Sequence, residues 1–128
     1  NLVAEYRANG GKVGGPFADA PLLLLTTVGA KSGQPRTMPL VYTTDGDRMV
    51  IIASKGGAPT NPDWYHNLVS NPCVTVEVGA ETYEARAVVV TGKERDELYA
   101  KQAQLVPVFG EYQLKTARQI PVIVLERI

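Results

Sequence analysis

Hydrophobic residues along this 128-residue chain fall mostly into short runs and two-residue alternations, the patterns of β-strands. Pro21–Val28 is a continuous apolar run ending in Thr and Val, which suits a strand buried on both faces. Arg36–Thr44 and Arg48–Ser54 read as two strands joined at Asp45-Gly46-Asp47, a strong hairpin signal, and Pro39 marks an edge or a bulge in the first. Val74, Val76 and Val78 alternate with Thr75 and Glu77, then Tyr83, Ala85, Ala87 and Val89 alternate with Glu84 and Arg86, which predicts a second hairpin. Ile120–Glu126 supplies a last strand. Six strands in so short a chain predict a closed or nearly closed barrel that hides its edges.

Two stretches carry helix-start signals instead. In NPDWYHNLVSNP, Asn61 is placed to cap, Pro62 to occupy the first helical position and Asp63 to complement the helix dipole, while Pro72 prevents continuation. Trp64 and Leu68 then share one face. In TGKERDELYAKQAQLVP, Thr91 and Glu94 have capping-box spacing, and Leu98, Leu105 and Val106 form a partial apolar stripe stopping at Pro107. Residues 1–14 read as the end of a further helix with a glycine-rich link, ahead of a domain over 15–128. The expected class is mainly β with α (α+β), about six strands with two or three flanking helices.

Composition narrows the function. With 45% hydrophobic and 20% charged residues the chain is sized for one packed core. Lys+Arg and Asp+Glu both number 13, so no global basic field favours nucleic acid, and an anion site must come from local clustering. The single Cys73 excludes an internal disulfide and a multi-cysteine metal site, and no metal is expected. With no secretory segment visible, a reducing cytoplasm is the expected setting. Apolar runs fall short of the roughly 20 residues that cross a bilayer. The chain opens at Asn1 rather than a methionine, as expected of a trimmed N-terminus, and peripheral membrane contact through the missing part is left open, as is the oligomeric state.

Local clustering does occur. Thr26–Pro39 sets Lys31, Ser32 and Arg36 beside Gly29 and Gly33, which suits either an anion cradle or a polar hairpin loop with solvated cations. The spacing matches neither a Walker loop nor G-x-G-x-x-G. A second glycine-cation stretch, Ser54-Lys55-Gly56-Gly57, leaves a strand and runs toward the N-terminus of the Pro62 helix, the end where anions are favoured. Two such loops at strand ends point to one site assembled from both sides.

TTVGAKSGQPRTMPLVY, ASKGGAPTNPDWYHNLVSNP and PVFGEYQLKTARQIPVIVLE, in this order, resemble the deazaflavin-dependent nitroreductase family of actinobacteria from about Gly15 onward. The resemblance implies a split β-barrel related to FMN-binding reductases, coenzyme F420 as cofactor, and hydride transfer from F420H2 to a small electron-poor acceptor such as a quinone or an α,β-unsaturated carbonyl. It implies cofactor-tail contacts from Lys31, Ser32, Gln34 and Arg36, and ring or phosphate contacts from Pro39, Ser54, Lys55, Gly56, Gly57, Trp64 and Asn67. Val41, Val106, Phe109 and Tyr112 are the implied acceptor contacts, with Tyr112 and Ser54 the catalytic candidates. Nitroimidazole-activating members carry three tyrosines where this chain has Val106, Phe109 and Tyr112, so nitroimidazoles are not the expected acceptors. An FMN-dependent split-barrel oxidoreductase and a non-catalytic cofactor carrier are the alternatives.

Other residues have plainer readings. His66 reads as a surface or packing residue, Cys73 as a small apolar filler, and Trp64 as core or ring partner. Tyr112 lies in a segment between a helix and the last strand, where a mobile cap over the barrel mouth is expected.

Overall fold

A computed structural model describes residues 2–15 and 21–128. Asn1 and the stretch 16–20, which the expected N-terminal segment and the start of the barrel domain include, lie outside the described residues. Six strands, β1 (Leu22–Val28), β2 (Pro35–Asp45), β3 (Arg48–Ile52), β4 (Cys73–Val78), β5 (Glu81–Val90) and β6 (Val122–Arg127), form a closed barrel in the order β1-β2-β3-β6-β5-β4. Every pairing is antiparallel. Among the described residues four α-helices accompany it: α1 (Leu2–Ala8), α2 (Asp63–Ser70), α3 (Gly92–Leu105) and α4 (Val108–Leu114).

Alternation along the strands sorts side chains into an interior and an exterior. Leu23, Leu25, Ile51, Val74, Val76, Ala85, Ile123 and Leu125 meet in one cluster, into which α2 inserts Trp64 and Leu68. Val50, Ile52, Val90, Val122 and Val124 point the other way and pack against Leu98, Tyr99 and Phe109 of α3 and α4. Leu22 and Leu24 are covered by Tyr6 of α1. The run of leucines in β1 is therefore continuous because both faces are buried, each fully buried leucine contributing about 1.5–3 kcal/mol. The Tyr6 hydroxyl accepts from Gly79 N–H at 2.8 Å and can donate to the carbonyl of Leu22 (3.0 Å) or Glu77 (3.2 Å).

The hairpin at residues 45–48 forms as expected, Asp45 pairing with Arg48 and Gly46 taking φ 62°, the conformation that a two-residue turn needs. Pro39 lies within β2 opposite Leu24, and there β2 has β1 as its only strand neighbour among the described residues. The β2–β3 ladder reaches only from Asp45 to Tyr42, so β2 residues 35–41 leave β3 behind and open a split. A proline lacking its N–H is tolerated on that single-sided stretch.

Several local expectations shift. Pro62, not Asn61, caps α2, and the Asn61 side chain instead accepts from Arg118 at 2.7 Å. Thr91 caps α3 without a side-chain hydrogen bond, and Glu94 reaches Arg48 at 3.3 Å rather than back to the cap. The buried face of α3 is Arg95, Leu98, Tyr99 and Gln102, while Leu105 is exposed because α3 packs over strands and not along a bundle. Val89 is also exposed and Val90 buried, since the helices cover the outer face at the end of β5. Cys73 is exposed at the start of β4. The segment expected as a mobile cap is helix α4.

Candidate functional site

The split between β2 and β3 opens into a cavity of about 1010 Å³, at the upper limit of the size range of small-molecule sites. One side is lined by Gly29, Ala30, Lys31, Ser32 and Arg36, another by Ser54 and Lys55, and α2 contributes Asp63, Trp64, His66 and Asn67. Met38, Pro39, Leu40, Val41, Ile52, Phe109 and Tyr112 make the remaining wall mainly apolar.

The loop between β1 and β2 is shaped by its own hydrogen bonds. Gly29 N–H donates to the Gln34 carbonyl at 2.8 Å, Gly33 N–H to the Gly29 carbonyl at 2.9 Å, and Gln34 N–H to the Ser32 hydroxyl at 3.2 Å. A Cβ on Gly29 would stand 2.5 Å from Ser32 Oγ, so a side chain there would displace the serine hydroxyl from its place in the turn. Asn67, buried on α2, braces the loop: its Oδ1 accepts from Ala30 N–H at 2.9 Å and its Nδ2 donates to Thr27 Oγ1 at 3.2 Å. Among the described residues Lys31 and Arg36 have no ion-pair partner, which leaves two cations free on one wall.

Opposite, Ser54 leads into a 3-10 turn, Lys55–Gly57. Ser54 is buried and its hydroxyl has no partner among the described residues. Lys55 adopts φ 48°, a left-handed conformation that costs a non-glycine residue about 1–2 kcal/mol. Its ammonium donates to Thr60 Oγ1 at 3.2 Å. Arg118 holds this stretch from behind, donating to the carbonyls of Ala58 (2.8 Å), Ala53 (3.1 Å) and Ser54 (2.7 Å). Burial lowers the pKa of that guanidinium from its ordinary value, and an arginine so far above neutral stays charged. Because Arg118 meets carbonyls and an amide oxygen, and no carboxylate, its charge adds to those of Lys31, Arg36 and Lys55.

Helix α4 closes the apolar side. Phe109 and Tyr112 meet edge to face, with centroids 5.3 Å apart, and Lys115 Nζ lies 5.9 Å from the Tyr112 ring. Tyr99 donates its hydroxyl to the Phe109 carbonyl. Gln113 joins the helix to the chain before β6, its Nε2 donating to the Arg118 carbonyl (2.8 Å) and its Oε1 accepting from Ile120 N–H (3.1 Å). Helix α4 is thus pinned at both ends.

Of the residues expected at a site, Lys31, Ser32, Arg36, Pro39, Val41, Ser54, Lys55, Trp64, Asn67, Phe109 and Tyr112 line one cavity. Gln34, Gly57 and Val106 do not. Gln34 closes the loop through its backbone, Gly57 gives α4 room to approach, and Val106 packs with the cluster under α3 and α4. Gly56 forms the middle of the 3-10 turn. His66, read as a surface residue, is exposed on the cavity wall. Sequence reading missed Arg118 and Arg95, since an arginine whose partners are backbone carbonyls has no signature in the chain. Among the described residues no three His, Cys, Asp or Glu side chains could hold a metal ion, and no helix is long and apolar enough to cross a membrane.

The cavity suits F420. A ligand carrying a phosphodiester and carboxylates needs unpaired cations, which Lys31 and Arg36 provide, and a planar ring needs an apolar slot with a few polar groups, which the Met38–Val41, Ile52 and Tyr112 wall with the free Ser54 hydroxyl provides. The family model described as F420H(2)-dependent quinone reductase matches residues 1–127. An F420H(2)-dependent quinone reductase of Mycobacterium tuberculosis (strain ATCC 25618 / H37Rv) is 45% identical over 130 residues, covering 97% of this chain and 86% of that protein. Among solved structures, the F420-H2 dependent reductase FDR-A superposes with a TM-score of 0.77 at 39% identity, covering 83% of this chain and 94% of its own. A structure described as a domain-swapped dimer superposes with a TM-score of 0.79 at 36% identity, covering 97% and 91%. The fold is the split β-barrel of FMN-binding-like proteins.

Proposed function

Given that the chain belongs to the F420H(2)-dependent quinone reductase family, we propose that its cavity binds F420 with the anionic tail toward Lys31, Arg36 and Lys55 and the ring between Ser54 and the β2 wall, leaving the Phe109–Tyr112 side for the quinone. The observation that carries this orientation is the division of one cavity into a wall with unpaired cations and a wall of apolar and aromatic side chains. Bound reduced F420 supplies a hydride, because it has carbon where a flavin has a reactive nitrogen.

The chain's own residues place and protect that transfer. Lys31 and Arg36 fix the anionic end through charge-assisted hydrogen bonds. Val41, Ile52 and Phe109 exclude water from the acceptor, which strengthens every polar contact made there. Hydride addition to a quinone leaves negative charge on oxygen, and a proton completes the hydroquinone. The Tyr112 hydroxyl, which has no partner among the described residues, is free to donate to that oxygen. Ser54 offers a second hydroxyl on the cofactor side. Enones are a further acceptor class on the same chemistry.

Titrating the apoprotein with F420 and with FMN, then mixing it with F420H2 and menadione, tests this reading. Micromolar or tighter F420 binding, much weaker FMN binding, and menadione-dependent oxidation of F420H2 are expected. Stoichiometric FMN in the purified protein, or F420 binding without turnover, would favour the alternatives.

A further inference from the structure

Two guanidiniums, that of Arg95 buried and that of Arg118 half-buried, stand behind two adjoining parts of the cavity wall, and neither lines it. Arg118 gives its hydrogen bonds to Ala53, Ser54 and Ala58 carbonyls and to Asn61 Oδ1, all in the stretch that carries Ser54 and Lys55. Arg95 gives two to the Ile120 carbonyl (3.0 and 2.7 Å) and one to Gln113 Oε1 (2.7 Å), and it lies 4.6 Å over the Tyr99 ring whose hydroxyl holds Phe109. The guanidinium of Arg118 thus bonds to the turn and the residues just beyond it, and that of Arg95 to α4, to the strand start behind it and to its neighbour Asp96, while Gln113 also donates to the Arg118 backbone carbonyl.

The consequences differ on the two sides. Carbonyls drawn back toward Arg118 turn away from the cavity, and the same grip keeps Lys55 in its left-handed conformation. Strained backbone persists only where surrounding contacts over-determine it. Arg95, by contrast, is partly neutralised by Asp96 at 3.1 Å, so it adds geometry rather than net positive field.

We infer that Arg118 and Arg95 are separate positioning residues for the two halves of the reaction: Arg118 sets the turn that receives the cofactor, and Arg95 sets the helix that receives the acceptor. The inference rests on the orientation proposed above. Neither arginine touches a reacting atom.

Hydrogen exchange of the apoprotein, F420 affinity by fluorescence titration, and menadione KM at saturating F420H2 test this on Arg118→Gln and Arg95→Gln. For Arg118→Gln, faster exchange confined to residues 53–61 is expected, with F420 Kd raised about tenfold and menadione KM within about twofold. Arg95→Gln should show the reverse: faster exchange over 108–114, menadione KM raised several-fold and F420 Kd unchanged. Uniform changes in both variants, or none, overturn the division. Where a glutamine variant does not fold, the lysine variant keeps charge with fewer donors and should show the same crossed pattern, weaker; its absence overturns the division too. Failure of the wild type to bind F420 would count against the orientation of the cavity, while the exchange pattern, which involves no ligand, judges the arginines separately.

Discussion

Gly57 lies directly against the backbone of Tyr112: a Cβ at Gly57 would stand 2.8 Å from the Tyr112 carbonyl oxygen and 2.9 Å from Lys115 Cβ. The residue also takes φ 82°, which side chains avoid. Gly57→Ala should therefore cost about 1–3 kcal/mol and push α4 outward, which urea unfolding would detect. The menadione KM should rise with it. An alanine variant as stable and as active as the wild type would mean that α4 is not seated on this turn.

Lys31 and Arg36 are expected to act through charge. A hydrogen bond to a charged group is worth about 1.5–3 kcal/mol, so Arg36→Ala should weaken F420 binding roughly 10–100-fold. Calorimetric titration at low and high salt checks both the size and the origin, because exposed charge contacts are screened and the difference should narrow as salt rises. Unchanged affinity would move the anionic tail elsewhere.

Tyr112→Phe keeps the ring packed on Phe109 and removes only the hydroxyl. A hydroxyl that acts in the transition state predicts a fall in kcat of about 10-fold or more with F420 affinity unchanged. Menadione turnover at the wild-type rate, with chemistry limiting, would leave Tyr112 as packing and shift attention to Ser54. A nitroimidazole should be reduced poorly by the wild type, since Phe109 brings no hydroxyl to the wall.

Tyr6 links stability to alkaline pH. Burial raises its phenol above the ordinary value near 10, so the folded chain holds this proton more tightly than the unfolded one. The associated stability is complete below about pH 10 and declines as pH climbs from there through the raised folded value. Tyr6→Phe should lower stability at neutral pH by about 1–3 kcal/mol, because Gly79 N–H loses its acceptor, yet the decline above pH 10 should be shallower. Tm measured between pH 7 and 11 separates the two effects. Parallel curves would show that Tyr6 does not titrate in that window.

The strands and the barrel were readable because side-chain periodicity reports burial directly. Leu22–Leu25 reads as doubly buried and is so, and Trp64 with Leu68 reads as one helical face and is so. Both cavity loops were also legible, since glycines and cations cluster there for reasons local to the chain. What stayed hidden depends on distant partners. Nothing near Arg118 announces that its guanidinium will collect carbonyls some 60 residues away, and Gly57 looks like a ligand contact until α4 is seen against it. Helix α4 itself spans only seven residues, and its hold comes from Tyr99 and Arg95 of α3, which bond to its Phe109 carbonyl and its Gln113 side chain.

The early end of the β2–β3 ladder leaves the barrel with fewer crosslinks just where the proposed ligand would enter. A ligand seated there bridges walls that no hydrogen-bonded strand pair joins, so occupancy and folding draw on the same free energy. At a hundred times its dissociation constant, a ligand specific for the folded state adds about 2.7 kcal/mol. Without the ligand that increment is lost, and the walls of the seam are held only by their own packing.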